Sequence, residues 1–227
     1  MEDWKKLCGA SYRQSVLQLL LPVIEQAMQE LPKIVQALQL RYGISEKEGI
    51  GLFGFSAGGI AALLTLIESS LTIKACVLAG VTKDLESAVN TYERATKQYY
   101  SVLKEQFPWM SENDIPYNWS DASLAARHRL NFVARTAILI QRQPIPAVLF
   151  VHGVQDEAYA VTDIEELYHI MIQYYEQAHQ PERLFMKTFA HLGHQLDLEA
   201  AKNSPGIQHD LTQLQQFVTK WFSEHLS

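Results

Sequence analysis

The sequence Gly54-Phe55-Ser56-Ala57-Gly58-Gly59 joins a short apolar run to a stretch with helical periodicity. The run, Glu48 to Gly54, is bounded by glycines and predicts a strand, whereas Gly58 to Ser69 predicts a helix with an apolar face. Small residues on both sides allow a turn tight enough to hold the serine in a strained backbone conformation. Such a turn exposes the Ser56 hydroxyl at the carboxyl edge of a sheet, beside the Ala57 amide at a helix N-terminus. Ser56 is therefore a candidate nucleophile, and the Ala57 amide is a candidate hydrogen-bond donor to an oxyanion.

A serine nucleophile needs a general base, and the base needs a carboxylate that orients it. Asp156 follows the apolar strand-like run Pro146–Gly153, and His194 follows the last short strand-like run. Both groups come after the serine, each at the carboxyl end of its own predicted strand. Glu157 competes for the role of acid and His191 for that of base. We favour His194 over His191 because it directly follows a glycine, which lets a loop histidine reach sideways toward the serine.

Strand-like and helix-like segments alternate along the chain, which predicts βαβ units and a right-handed, mostly parallel sheet. The strand-like runs lack strict alternation of apolar and polar residues, as strands buried on both faces do. These runs cover residues 48–54, 73–78, 146–153 and 184–188. We expect one α/β domain over residues 1–227, with three layers and a sheet of about four strands. Upstream, residues 16–40 predict a helix that Pro22 and Pro32 kink or divide.

Residues 82–143 differ in composition from the rest of the chain, because they are rich in Tyr, Gln, Glu and Lys. We interpret this segment as a helical cap laid over the sheet. Trp109, Tyr117 and Trp119 lie close together in it and could line an acyl or aromatic substrate pocket. Alternatively, these three side chains hold the cap onto the sheet. Three further aromatic residues have helical spacings that predict core positions, namely Tyr92, Tyr99 and Phe107.

The chain has 227 residues, 48% of them hydrophobic, and a formal net charge of −6, which is typical of a globular protein and predicts no binding to nucleic acid or an anionic membrane. No signal-peptide pattern and no apolar stretch near 20 residues is present, so we expect a cytoplasmic protein.

Cys8 and Cys76 are too few for a disulfide scaffold and are expected to be reduced. The six histidines other than His191 and His194 are interpreted as surface or hydrogen-bonded residues, with no metal-site spacing and no cofactor expected.

Three segments together resemble the α/β-hydrolase superfamily, in the branch of dienelactone hydrolase, prolyl oligopeptidase and serine aminopeptidase-like proteins. The segments are residues 54–59, Pro146-Ala147-Val148-Leu149-Phe150-Val151-His152-Gly153-Val154-Gln155-Asp156 and Gly193-His194. The resemblance implies that Ser56 is the nucleophile, Asp156 the triad acid and His194 the base. The three motifs are specific to the fold and not to a substrate. Our first hypothesis is a serine hydrolase that cleaves a carboxylic ester through an acyl-enzyme, on a small-molecule substrate and without a cofactor. A serine peptidase or amidase of the same fold is the alternative within this class.

The chain departs from this family upstream of the serine. Members of the fold place three or four strands before the nucleophile strand, and a His-Gly loop there supplies a second oxyanion donor. Here residues 1–47 mostly predict helix, and His152-Gly153 lies downstream, where it leads into Asp156. Either an N-terminal segment is missing, or the shortened sheet exposes the nucleophile strand as an edge that pairs in a homodimer or with another partner. A binding module without catalytic activity is the alternative of a different class.

Overall fold

A computed structural model describes residues 20–194 and 202–226 of the chain. In this part, four parallel strands form one sheet in the order β1-β2-β3-β4. The strands are β1 (Ile50–Phe55), β2 (Ile73–Ala79), β3 (Ala147–Gln155) and β4 (Leu184–Gly193). The α-helices of the described residues are α1 (Leu21–Tyr42), α2 (Ala57–Glu68), α3 (Leu85–Gln98), α4 (Tyr100–Gln106), α5 (Asp121–Arg129), α6 (Val161–Gln177) and α7 (Pro205–Leu226). Short 3₁₀ segments lie at Glu46–Glu48, Glu112–Asp114, Val133–Gln141 and Pro181–Arg183.

The sheet lies between two layers of helix. Alternate side chains of each strand point to opposite faces, so each strand contributes to a core on either side of the sheet. On one face, Cys76 and Leu78 of β2 pack in a core with α1, α2 and α6. On the other face, Val77 and Ala79 pack in a second core that includes Trp221 of α7. Burial on both faces explains why the strands show no polar alternation. The predicted three-layer α/β fold with a parallel sheet of about four strands is confirmed, and the single domain over the whole chain stays a prediction.

Helix α1 runs without interruption across Pro32, so the prolines do not divide the helix there, and the predicted kink stays a prediction. Residues 16–19 of the predicted helix lie outside the described residues. Pro22 lies in the first turn of the helix, where a backbone N–H has no helical partner to lose. Ile24 and Val35 are buried on either side of Pro32 and anchor both halves of the helix. The helix ends at Gly43, which adopts a left-handed conformation with a φ of 67°.

Strand β1 forms one edge of the sheet in the described part of the chain, since it pairs there with β2 alone. Its Phe53 side chain is 56% exposed. An edge strand presents unpaired backbone groups and can pair with another chain. The homodimer or partner expected at this edge stays a prediction.

The segment between β2 and β3 is helical and contains α3, α4 and α5. Leu85, Val89 and Phe132 are buried in the same core as α2 and α6, so the segment packs on one helical layer of the fold. The predicted core positions of three aromatic residues are wrong, because this segment is anchored through other side chains. The exposed fractions are 56% for Tyr92, 58% for Tyr99 and 38% for Phe107.

Arg129 at the end of α5 ties this segment to two other helices. Its guanidinium nitrogens lie 2.5 Å from a carboxylate oxygen of Glu25 in α1 and 2.7 Å from one of Glu68 in α2. Arg135 adds a second contact to Glu68 at 2.8 Å. Burial raises the pKa of Glu68, but the two arginines outweigh burial and hold that pKa below its usual value. This network fixes α1 and the helical segment relative to each other.

Candidate active site

Ser56 occupies the turn between β1 and α2 with a φ of 52° and a ψ of −124°. A non-glycine residue with this positive φ stores about 1–3 kcal/mol of strain, which the surrounding structure must offset. The Ser56 N–H donates to the Ala79 carbonyl of β2 at 2.9 Å, and the Ser56 carbonyl accepts from the Ile60 N–H at 3.0 Å. The turn is therefore fixed to the sheet on one side and to the helix on the other.

Two glycines allow α2 to approach β1 closely at this turn. A Cβ atom at Gly54 would lie 2.4 Å from the carbonyl oxygen of Gly58. A Cβ atom at Gly59 would lie 2.3 Å from Cγ1 of Val81. Gly58 differs, because a Cβ atom there would meet nothing within 4 Å. The close approach therefore requires glycine at positions 54 and 59.

Ser56, His194 and Asp156 form a continuous series of hydrogen-bonded contacts. His194 Nε2 lies 2.9 Å from Ser56 Oγ, and His194 Nδ1 lies 2.9 Å from Asp156 Oδ2. Each of the three is the first residue after its strand, namely β1, β3 or β4. Strand β4 continues to Gly193, beyond the end predicted near residue 188, and so delivers His194 directly to the edge of the sheet.

Asp156 is the most enclosed side chain of the three, with 1% of its surface exposed against 14% for His194. Burial raises the pKa of Asp156, but hydrogen bonds from His194 and from the Tyr159 N–H outweigh burial and hold the pKa below its usual value. Its Oδ1 atom accepts from the backbone N–H groups of Ala158 and Tyr159, each at 2.8 Å. A carboxylate held in this way orients the imidazole so that Nε2 is left to accept a proton.

His152 of β3 contacts the loop that follows this strand, and the sequence pattern assigned it no catalytic role. It is 1% exposed, and its Nε2 atom lies 3.0 Å from the Tyr159 carbonyl oxygen and 3.5 Å from Asp156 Oδ2. Because a carbonyl only accepts hydrogen bonds, Nε2 carries the proton. Its Nδ1 atom has no partner in the described part of the chain. Its position four residues before Asp156, in the same motif, is the signal that could have identified it.

Two aromatic rings flank the His194 imidazole. The Tyr159 ring lies edge-on to it with centroids 5.2 Å apart, and the Phe55 ring lies 5.1 Å away. Burial raises the pKa of the Tyr159 phenol, and a hydrogen bond between this phenol and Ser56 partly opposes the effect. The hydroxyl is therefore protonated near neutral pH and can donate a hydrogen bond at the nucleophile. Sequence reasoning missed Tyr159, because nothing in the residue pattern distinguishes it from a packing aromatic.

The two competing residues have other partners. The Glu157 carboxylate lies 3.4 Å from the His194 backbone N–H rather than against its imidazole. His191 is paired with Asp210 of α7, whose Oδ2 atom accepts from the His191 N–H at 2.8 Å and lies 3.1 Å from Nδ1. The structure thus brings Asp156 and His194 to the serine, and leaves Glu157 and His191 outside the hydrogen-bonded series.

A cavity of ≈ 460 Å³ adjoins the serine turn and is lined in part by Ala57 and Tyr159. Ala57 is the first residue of α2, so its N–H is one of the helix-start amides without a helical acceptor. Tyr117 lines the cavity, whereas Trp119 packs edge-on against Tyr117 with centroids 4.8 Å apart and does not line it. Trp109 packs against a neighbouring phenylalanine and also lies outside the lining.

Within residues 20–194 and 202–226, no three His, Cys, Asp or Glu side chains are grouped so that they could hold a metal ion. Across the same described ranges, no helix has both the length and the apolar character that a membrane span requires. Cys76 is buried in β2, and burial raises the pKa of its thiol, so this cysteine is a packed and unreactive side chain.

Comparison with solved structures identifies proteins of similar fold. An acylaminoacyl peptidase in complex with Z-Gly-Gly-Phe-chloromethyl ketone has a TM-score of 0.60 and 14% identity over 88% of this chain and 27% of its own. The uncomplexed acylaminoacyl peptidase of Pyrococcus horikoshii has a TM-score of 0.57 and 15% identity over 88% of this chain and 28% of its own. An esterase of Pyrococcus furiosus has a TM-score of 0.58 and 14% identity over 88% of this chain and 62% of its own.

The chain thus spans little more than a quarter of the peptidase and less than two thirds of the esterase. No protein-family model and no curated protein sequence matches it. Sequence identity near 15% shows the fold alone. Both similar proteins have the α/β-hydrolase fold, and the present chain has that fold as well, as the resemblance of its three motifs predicted.

Proposed function

We propose that this chain is a serine hydrolase that cleaves a carboxylic ester through an acyl-enzyme at Ser56. The observation that carries the proposal is the pair of 2.9 Å contacts that join Ser56 to His194 and His194 to Asp156. A nucleophile hydrogen-bonded to a base, and a base hydrogen-bonded to a buried carboxylate, is the arrangement that acyl transfer needs. The strained, partly exposed Ser56 turn at the edge of the sheet supports the same reaction.

In the first half of the reaction, Ser56 Oγ attacks the ester carbonyl carbon while His194 Nε2 takes the hydroxyl proton. The carbonyl oxygen becomes an oxyanion that the Ala57 amide stabilises. The bond between the carbonyl carbon and the alcohol oxygen then breaks, and His194 returns its proton to that oxygen. The second half repeats these steps with water as the nucleophile, and it releases the carboxylic acid and frees Ser56. Asp156 stays ionised and stabilises the imidazolium in both halves.

A peptidase or amidase is the second candidate, because one of the similar solved structures is an acylaminoacyl peptidase. The ester is favoured because an alkoxide leaves more readily than an amide nitrogen, so the ester makes smaller demands on the oxyanion site. Among the described residues, we assign one backbone donor to that site, the amide of Ala57. Loss of one oxyanion donor lowers kcat by about 10²–10³-fold, which a labile ester tolerates better than a peptide bond.

Labelling with an alkyl fluorophosphonate tests the nucleophile, because this probe forms a covalent bond with activated serines. We expect the wild-type chain to gain the mass of one phosphonyl group and Ser56→Ala to gain none. Ser70→Ala is the matched control, since Ser70 is an exposed serine away from the site, and this variant must label normally. A folded wild-type chain that resists the probe would contradict the proposal and favour a binding module without catalytic activity.

Turnover of two substrates with the same acyl group separates the two hydrolase candidates. We compare the rate enhancement, which is the catalysed rate divided by the uncatalysed rate of the same substrate. This enhancement should be much larger for p-nitrophenyl butyrate than for butyryl p-nitroanilide. Equal enhancements for the two substrates would favour the amidase. Both activities must disappear in Ser56→Ala.

A further inference from the structure

The cavity beside the serine turn has walls from two helices that lie far apart in the chain. Leu20, which directly precedes α1, and Val23 of α1 contribute on one side. Leu85, Ala88 and Val89 contribute from α3. Ala57 of the turn and Tyr159 of the loop that follows β3 also line it. The cavity is therefore mostly apolar, and it lies beside the turn that carries Ser56.

The charged groups of the lining have one sign. They are the carboxylates of Glu93 and Glu157, and no lysine, arginine or histidine contributes to this wall in the described part of the chain. Glu93 accepts a hydrogen bond from the Tyr117 backbone N–H, so its carboxylate is held in place at the wall. Glu157 lies 3.4 Å from the His194 backbone N–H. A negatively charged ligand would meet fixed negative charge and no counter-ion here, which makes its desolvation unfavourable.

The position of the base indicates which half of an ester enters the cavity. His194 Nε2 must protonate the departing alcohol oxygen, so the alcohol half faces His194. His194 does not line the cavity, whereas Ala57, the candidate oxyanion donor, does. The acyl half, on the other side of the carbonyl carbon, is therefore the half that this cavity can receive.

We infer that the cavity is the acyl subsite and that it selects neutral, apolar acyl groups of medium length over acyl groups that carry a carboxylate. The inference rests on the proposed function and adds the substrate class to it. The volume of ≈ 460 Å³ lies within the range of about 300–1,000 Å³ of ligand-binding cavities, so the acyl group need not be as small as acetyl. The negatively charged lining disfavours esters of dicarboxylic acids as substrates.

The first test compares p-nitrophenyl esters that share the same leaving group. From acetate to butyrate to hexanoate, kcat/KM should rise by about fourfold for each added methylene that the cavity buries. The p-nitrophenyl monoester of glutaric acid, which matches hexanoate in length but ends in a carboxylate, should be at least about 100-fold poorer than hexanoate. A flat chain-length profile, or equal rates for these two esters, overturns the inference.

Two variants connect this selectivity to the cavity. Ala88→Phe fills the space from α3, so the preference for hexanoate over acetate should disappear while acetate turnover persists. Asn90→Phe is the matched control, because Asn90 is exposed on the same helix and does not line the cavity. Glu93→Gln keeps an acceptor for the Tyr117 N–H and removes the charge, so it should narrow the gap between hexanoate and glutarate by about tenfold. An unchanged gap in Glu93→Gln contradicts the assigned role of this carboxylate.

A binding measurement separates failure of this inference from failure of the proposed function. The Ser56→Ala variant should bind the neutral ketone 2-octanone in calorimetry, and Ser56→Ala combined with Ala88→Phe should not. If no ester is cleaved but this pattern of binding appears, the hydrolase proposal fails and the apolar subsite stands. If esters are cleaved but the ketone binds equally to both variants, the subsite fails and the hydrolase stands.

Discussion

Replacement of Asp156 by asparagine should remove catalysis and leave the fold intact. An asparagine can keep its Oδ1 atom in place of the Asp156 oxygen that accepts from the Ala158 and Tyr159 amides at 2.8 Å. Its amide nitrogen then replaces Oδ2, which lies 2.9 Å from His194 Nδ1. Since that nitrogen only donates, Nδ1 must accept, and the imidazole proton moves to Nε2. Nε2 then donates to Ser56 and can no longer take its proton.

The expected loss in kcat for Asp156→Asn is about 10⁴-fold, or ~5.4 kcal/mol in activation free energy. Hydrolysis of p-nitrophenyl butyrate measures it, and the rate of fluorophosphonate labelling at Ser56 should fall in parallel. The thermal midpoint near neutral pH should change little, since both backbone hydrogen bonds persist. A variant that keeps more than about a tenth of wild-type kcat would falsify the assignment of Asp156 as the orienting acid.

The same substitution has a pH-dependent effect on stability. The pKa of Asp156 is lower in the folded chain than its ordinary value near 3.9. The ionised carboxylate therefore contributes stability above about pH 4, and this contribution is lost as the pH falls through the lowered folded pKa. Denaturant titrations at several pH values give the free energy of unfolding of wild type and of Asp156→Asn. The difference between the two should be constant above pH 5, and the stabilising contribution of the wild-type carboxylate should shrink below about pH 4.

Three further outcomes are expected. Gly59→Ala should lower the free energy of unfolding by about 2 kcal/mol, because its Cβ would lie 2.3 Å from Cγ1 of the buried Val81, whereas Gly58→Ala has open space and should be neutral or stabilising in denaturant titration. Tyr159→Phe should lower kcat by about fivefold through loss of the hydroxyl at the nucleophile, with the thermal midpoint unchanged, and full activity would remove the phenol from the mechanism. His191→Gln should keep at least half of wild-type activity, whereas a loss like that of a His194 variant would make it the base.

The sequence could predict the serine turn because steric rules govern it locally. Gly54 and Gly59 stand where a Cβ atom would clash, so their spacing reports a close approach of strand and helix. Asp156 and His194 could be predicted for a related reason, since each directly follows a strand and parallel strands end at one edge of the sheet. The choice of His194 over His191 depends on a single glycine before His194.

The remaining parts of the site depend on packing between elements that are distant in the chain. The contacts of Tyr159 and His152 arise around the loop that follows β3, and residue type alone does not encode them. The cavity that we propose as the acyl subsite depends on how residues of α1 and α3 pack beside the turn. The continuity of α1 across Pro32 has the same kind of cause, because a local rule that treats proline as a helix breaker omits the buried anchors on either side of it.

The separation of Ser56, Asp156 and His194 along the chain also constrains how the candidate site forms during folding. Ser56 and His194 are separated by 138 positions, and the whole helical segment between β2 and β3 intervenes. Contacts of this sequence separation close large loops, and they form late and slowly in folding. Helical signal from α2 and α6 should therefore return early in refolding, while reactivity toward the phosphonate probe returns only when β4 docks on β3. The nucleophile would then act as a chemical reporter of the last folding step.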